Sequence, residues 1–132
     1  MSSPRSRFAS LHRLGLLALA AGTLAACDDG LAPVADLSGE WVATRVESSV
    51  ELDLAQHGTR VSGTGTWQKF INPPSGNLAA DGTYLDNRLS LALRYDDGQT
   101  SRYTAVVVDP DHMVGSETYD GGATDSLTFV KQ

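Results

Sequence analysis

Few residues in this chain have types and spacings suited to bond-breaking chemistry. Of its three histidines only His57 and His112 lie outside the first dozen or so residues, and they have no partner at the spacing of a metal motif. Asp109-Pro110-Asp111-His112 gathers carboxylates beside an imidazole, but proline fixes a bend there and aspartates cap it, so the segment reads as a turn. Asp96-Asp97-Gly98 and Asp120-Gly121-Gly122 lack the ligand spacing of a calcium loop. There is no nucleophile elbow or phosphate-binding loop, and the single cysteine, Cys27, has no histidine placed to activate it. These residues point to a protein that is not an enzyme and needs no metal or soluble cofactor. What remains is recognition chemistry: Trp67, Phe70, Tyr95, Tyr103 and Tyr119, most of them aromatics with a polar tip, and the charged side chains Arg45 and Glu117.

Short strands must position these groups. From Glu40 onward there is no sustained helical periodicity, and alternating segments predict eight strands: Glu40–Val46, Ser49–Gln56, Thr59–Trp67, Leu78–Tyr84, Arg88–Tyr95, Thr100–Val108, His112–Tyr119 and Thr124–Lys131. His57-Gly58, Asp86-Asn87, Asp96-Asp97-Gly98 and Asp120-Gly121-Gly122 supply tight turns, and only Gln68 to Asn77 is long. Val50, Leu52 and Leu54 alternate with Glu51 and Asp53, while Gly63, Gly65, Gly82 and Gly115 fall on inward positions. Repeated inward glycine suits strongly coiled strands, so the reading is all-β: an eight-stranded antiparallel up-and-down barrel, with a two-sheet β-sandwich as the alternative. In such a meander one end collects Trp41, Tyr84 and Lys131. The other collects Trp67, Tyr95 and Tyr119, with Tyr103 close by and the loop carrying Phe70. That second end is the expected ligand mouth. Arg45 and Glu117 fall toward it, and because a buried charge is expensive unless matched, they are expected to pair or to contact a polar ligand group.

Composition sets the outer limits. The chain has 132 residues, 41% of them hydrophobic, with sixteen acids against ten bases. That is single-domain globular material, without a disulfide scaffold and without the basic footprint of a nucleic-acid binder. The first 13 residues hold Arg5, Arg7 and Arg13 and no acid, followed by an apolar run from Leu14 to Leu24. About 11 residues is too short for a membrane span, which needs roughly 20, and fits the helical core of a signal peptide.

Leu24-Ala25-Ala26-Cys27 resembles the lipobox of bacterial lipoproteins. The resemblance implies a leader over residues 1–26, removed at cleavage, and a covalent lipid on Cys27 as the anchor. A tether then covers residues 27–38 and the barrel domain residues 39–132. Loss of the leader removes three arginines and no acid, moving the formal charge from −6 to −9. The protein would face the periplasm from a membrane of the cell envelope, and Asp28 resembles a signal for inner-membrane retention.

Gly39-Glu40-Trp41 is similar to the Gly-x-Trp motif of the calycin group, which includes lipocalins and avidins. By that resemblance Trp41 closes one barrel end beside a basic residue of the last strand, here Lys131. Three functions follow as expectations: a lipid-anchored monomer binding a small apolar ligand, an acidic module that blocks a cationic envelope enzyme such as a lysozyme or protease, or a structural lipoprotein without ligand.

Overall fold

The computed structural model describes residues 35–71 and 74–132. The leader, Cys27 with its lipobox and most of the tether lie outside the described residues, as do Asn72 and Pro73. Eight strands follow one another: β1 (Gly39–Thr44), β2 (Ser48–His57), β3 (Arg60–Lys69), β4 (Ser75–Leu85), β5 (Arg88–Tyr95), β6 (Thr100–Asp109), β7 (His112–Tyr119) and β8 (Thr124–Lys131). Each is antiparallel to the next, and β8 pairs with β1 through Trp41↔Lys131 and Val42↔Val130, so the sheet closes into a barrel. Closure rules out the sandwich.

The period of two decides what is buried. Val50, Leu52 and Leu54 of β2 and Leu89, Leu91 and Leu93 of β5 are inside, while their neighbours face water. Glycine is required where strands press together. At Gly65 a Cβ would run into the carbonyl oxygen of Glu51, and at Gly115 into that of Thr104, so these inward positions admit no side chain without the backbone moving apart. The β4–β5 turn has both central residues in the left-handed region, Asp86 at φ 52° and Asn87 at φ 61°, matching the twist of its strands.

The structure corrects the expected elements in three places. β1 stops at Thr44, so Arg45 lies in the turn that follows, where its N–H donates to the Ser48 carbonyl at 2.7 Å. β3 runs on to Lys69 and β4 starts at Ser75, with Trp67 opposite Gly76 and Gln68 opposite Ser75, which shortens the long loop to residues 70–74. Finally, residues placed in the tether belong to the barrel. Leu37 is fully buried, its N–H is held by Gln56 Oε1 at 2.9 Å, and its carbonyl accepts from Trp41 Nε1 at 2.8 Å. Lys131 Nζ lies 5.4 Å from the centre of the Trp41 ring and donates to the Asp36 carbonyl at 3.0 Å. This end is thus plugged by Leu37 and Trp41 and latched by Lys131.

Candidate functional site

The opposite end is where the strands deliver polar side chains to the interior. Along β7 the inward series Met113, Gly115, Glu117 places a carboxylate below the mouth with no solvent exposure. A carboxylate there must be matched by donors, and four converge on it. Glu117 Oε1 accepts from the Tyr95 hydroxyl and the Ser101 hydroxyl, each at 2.5 Å. Oε2 accepts from Arg45 Nη2 in a short ion pair and from the Tyr119 hydroxyl at 3.2 Å. Arg45 Nη1 donates to the Tyr119 oxygen at 2.6 Å and lies 3.9 Å from the exposed Asp125. Among the described residues the Arg45 Nε–H is buried without an acceptor.

Surroundings set the charges of this cluster. Burial pushes the Glu117 carboxyl up, but donation from Ser101, Tyr95 and Arg45, with the guanidinium charge, holds it below the usual glutamate range, so it stays ionised. Burial likewise works against the charged Arg45, and Tyr119 and Glu117 outweigh it, leaving the guanidinium still more firmly protonated. The Tyr95 phenol is driven far above its ordinary range, first by burial and then by the Glu117 charge, so it remains a donor. The result is a fixed set of donors and one carboxylate, suited to holding polar groups in place.

Trp67, nearly buried near the end of β3, forms the apolar wall. Its ring meets Tyr95 edge-on at 6.1 Å and 78°. Its Nε1 donates to Asp96 Oδ1 at 3.2 Å, while Asp96 Oδ2 accepts from the Asn77 N–H at 2.8 Å. That carboxylate occupies the space a Cβ at Gly76 would need, so the paired ends of β3 and β4 and the β5–β6 turn are locked together. Phe70 stands outside the ring. It is exposed on the rim, and its N–H donates to the Glu47 carbonyl at 2.9 Å, close to the exposed Val46 and Ile71 of the same two loops. Tyr103 sits deeper, fully buried against Phe129 at 5.2 Å, with its hydroxyl donating to the Leu127 carbonyl at 3.1 Å. It is part of the core and does not line the mouth.

The structure therefore brings Arg45, Trp67, Tyr95, Glu117 and Tyr119 together, and sets Phe70 above them and Tyr103 below. Two participants escaped the sequence reading. Ser101 shares the inward alternation of Tyr103, Ala105 and Val107, so its position was readable, but a serine on an apolar series carries no obvious role. Asp96 gave no signal, since its partners lie far away in sequence and its turn needs an aspartate for its own sake. His57 and His112 lie at the plugged end, and His112 Nδ1 meets Asp109 at 2.8 Å. Among the described residues no group of three or more His, Cys, Asp or Glu side chains is arranged to hold a metal ion.

A pocket of about 60 Å³ at this ring is bounded by Arg45, Val50, Trp67, Tyr95 and Tyr119 and, toward solvent, by the exposed Lys69, Asp97 and Gln99. That holds a water molecule or two and falls short of the roughly 300 Å³ of a small-molecule cavity. Above it, a wide depression of about 850 Å³ opens to solvent, floored by Arg45 and Tyr119 and edged by Lys69, Gln99, Asp125 and Ser126.

No family model and no curated protein matches the chain. Solved structures similar in fold include two redesigned β-barrels. One is a redesigned β-barrel, b11L5F_LGL, with a TM-score of 0.62 and 13% identity, the match covering 73% of this chain and 91% of that one. Another is the redesigned barrel mFAP1 bound to DFHBI, with a TM-score of 0.55 and 13% identity, covering 73% and 94%. At this identity the likeness concerns the barrel itself.

Proposed function

We propose that this protein is a lipid-anchored lipoprotein of the bacterial cell envelope, facing the periplasm, whose barrel binds a small, partly apolar molecule across its open end. It is a binding protein and not an enzyme. The observation that carries the binding reading is the pair of buried Glu117 and partly exposed Arg45, with Tyr95, Ser101 and Tyr119 converging on it beneath an aromatic wall. A buried ion pair is often no more stable than well-packed apolar residues in its place, so its position under the mouth favours a role in recognition. The Arg45 Nε–H adds a donor without an acceptor among the described residues, which a carbonyl or hydroxyl can satisfy. The mFAP1 barrel, of similar fold, is bound to DFHBI, so this architecture is compatible with a ligand. Because the pocket at the ring is only about 60 Å³, the ligand belongs in the depression over Arg45 and Tyr119, with an apolar part directed into the small pocket that Trp67 lines.

The anchor rests on Cys27 and its lipobox, and intact-mass analysis of membrane-fraction protein is expected to show an acylated Cys27; an unmodified thiol overturns it. For the mouth, anilinonaphthalene sulfonate serves as an anionic aromatic probe. Its fluorescence is expected to rise with the wild-type protein and to fall at least tenfold in apparent affinity, a loss of about 1.4 kcal/mol, when Tyr119→Phe and Trp67→Phe are combined. Equal affinity for the two proteins contradicts the site.

A second reading has its own support. A groove of about 500 Å³ on the outer face of β1–β4 is edged by Glu40, Glu51 and Asp53, and with only a small pocket at the ring it favours docking of a cationic envelope protein. Salt-sensitive association with a basic enzyme such as lysozyme checks it.

A further inference from the structure

The outside of the barrel is divided by charge. On β1–β4 the outward positions carry Glu40, Glu51, Asp53 and Asp81. Their one arginine or lysine, Arg60, is directed to Asp81 at 3.4 Å. On β5–β8 the sign reverses. Arg88, Arg94 and Arg102 are exposed outward positions, and the outward series of these strands holds no carboxylate. Among the described residues none of these three arginines is in an ion pair; Arg102 reaches only the Ser90 hydroxyl, at 3.4 Å. In a chain with six more acids than bases, a flank of this kind is not the product of overall composition.

The same flank is apolar between its charges. Val106 and Val114 face each other across β6 and β7, and Val108 and Val130 extend the row; their exposure runs from 38% to 58%. Most neighbouring outward positions are hydroxyl residues such as Thr104, Ser116 and Thr128. The exposed acids of this half of the barrel stand at strand ends and in turns: Asp86, Asp96, Asp97, Asp111 and Asp120 in the turns, Asp109 at the end of β6, where His112 engages it, and Asp125 near the start of β8, 3.9 Å from Arg45. The valine row lies toward the plugged end, where Ala35 packs against the core. Seven residues lie between Cys27 and Ala35, so the two are at most about 28 Å apart.

From this placement we infer that the β5–β8 flank is a docking surface for an anionic lipid bilayer, with Arg88, Arg94 and Arg102 at the headgroups and the valine row against the headgroup–acyl boundary. Complementary charge and exposed aliphatics on one face are what such a surface selects. The inference rests on the lipid-anchored reading, which supplies the nearby membrane. It goes further by giving the barrel an orientation: the mouth opens along the membrane surface, and the acidic β1–β4 flank faces away from it.

The test uses the mature protein from its host, mixed with vesicles of phosphatidylcholine alone or of phosphatidylcholine with phosphatidylglycerol. A fluorophore is placed at Thr128→Cys on the proposed flank or at Thr64→Cys on the opposite one, and access to an aqueous quencher is measured. With phosphatidylglycerol, the label at 128 is expected to be shielded and the label at 64 to stay open. Joint substitution Arg88→Gln, Arg94→Gln and Arg102→Gln is expected to weaken docking roughly fivefold per arginine, on the order of 100-fold in all, and so to reopen position 128. Equal access at 128 and 64, shielding that is the same without phosphatidylglycerol, or shielding untouched by the triple substitution overturns the inference. The anchor is read separately. At about 1 M salt, where screening acts beyond about 3 Å, an acylated protein stays on the vesicles. Its release there refutes the acyl chain, while the low-salt shielding still decides the flank.

Discussion

Glu117 keeps its charge because Ser101, Tyr95, Tyr119 and Arg45 surround it, and this couples the mouth to stability. Glu117→Gln takes the buried carboxylate from Arg45, which keeps partial exposure and Asp125 at 3.9 Å, and is expected to cost about 1–3 kcal/mol, as when a buried hydrogen-bond partner is lost, measured as a shift in the urea midpoint near neutral pH. The sign of the pH dependence follows from a folded-state carboxyl held below its unfolded value. The contribution is complete above the ordinary glutamate range and is lost as pH falls through the folded value, because the unfolded chain takes up the proton first. The gap between wild type and Glu117→Gln therefore narrows on acidification. A gap that stays constant or widens contradicts the assignment. Arg45 and Glu117 were legible as a candidate pair from alternation alone, since both reach the same end of the meander. The four-donor cluster was not, because Ser101 and the two phenols come from strands whose register emerges only when the sheet closes.

At the scale of elements, close approach of strands depends on inward glycines. Gly65→Ala drives a methyl into the Glu51 carbonyl and is expected to destabilise the barrel by about 1–3 kcal/mol or more. Gly121→Ala, in the β7–β8 turn with open space around it, is expected to stay within about 0.5 kcal/mol of wild type. Thermal melts of the two variants check the contrast, and similar losses for both would remove the close-packing argument. The strands were readable because each buried face repeats apolar or small residues every second position. Where the reading failed, composition and backbone disagree. Residues around Pro74, Ser75 and Gly76 look like a loop, yet ladder bonds need no apolar side chains, and Gly76 makes room for the Asp96 carboxylate that fastens Trp67. Leu37 looked like tether because a single leucine has no periodicity, and only Trp41 gives it a place.

For the whole molecule, the fold follows from hairpins in sequence order, while the function depends on how the barrel is filled and oriented. The pocket at the ring holds only about 60 Å³ and the wide depression lies outside it, so the binding reading moves from a deep cavity to the open end, opposite the plug of Leu37, Trp41 and Lys131. The charge division between the outward faces of β1–β4 and β5–β8 was hidden in the sequence, because Arg88, Arg94 and Arg102 stand among the acids of the turns and strand ends and are set apart only by the alternation of each strand. The central claim is that the open end holds a ligand in the envelope. Native mass spectrometry of the mature protein, taken gently from its own host membranes, tests it most directly. The expected spectrum shows the chain from Cys27 onward with a non-covalent adduct, absent when Tyr119→Phe and Trp67→Phe are combined. A wild-type protein without adduct, or an adduct held equally by the double variant, would contradict it.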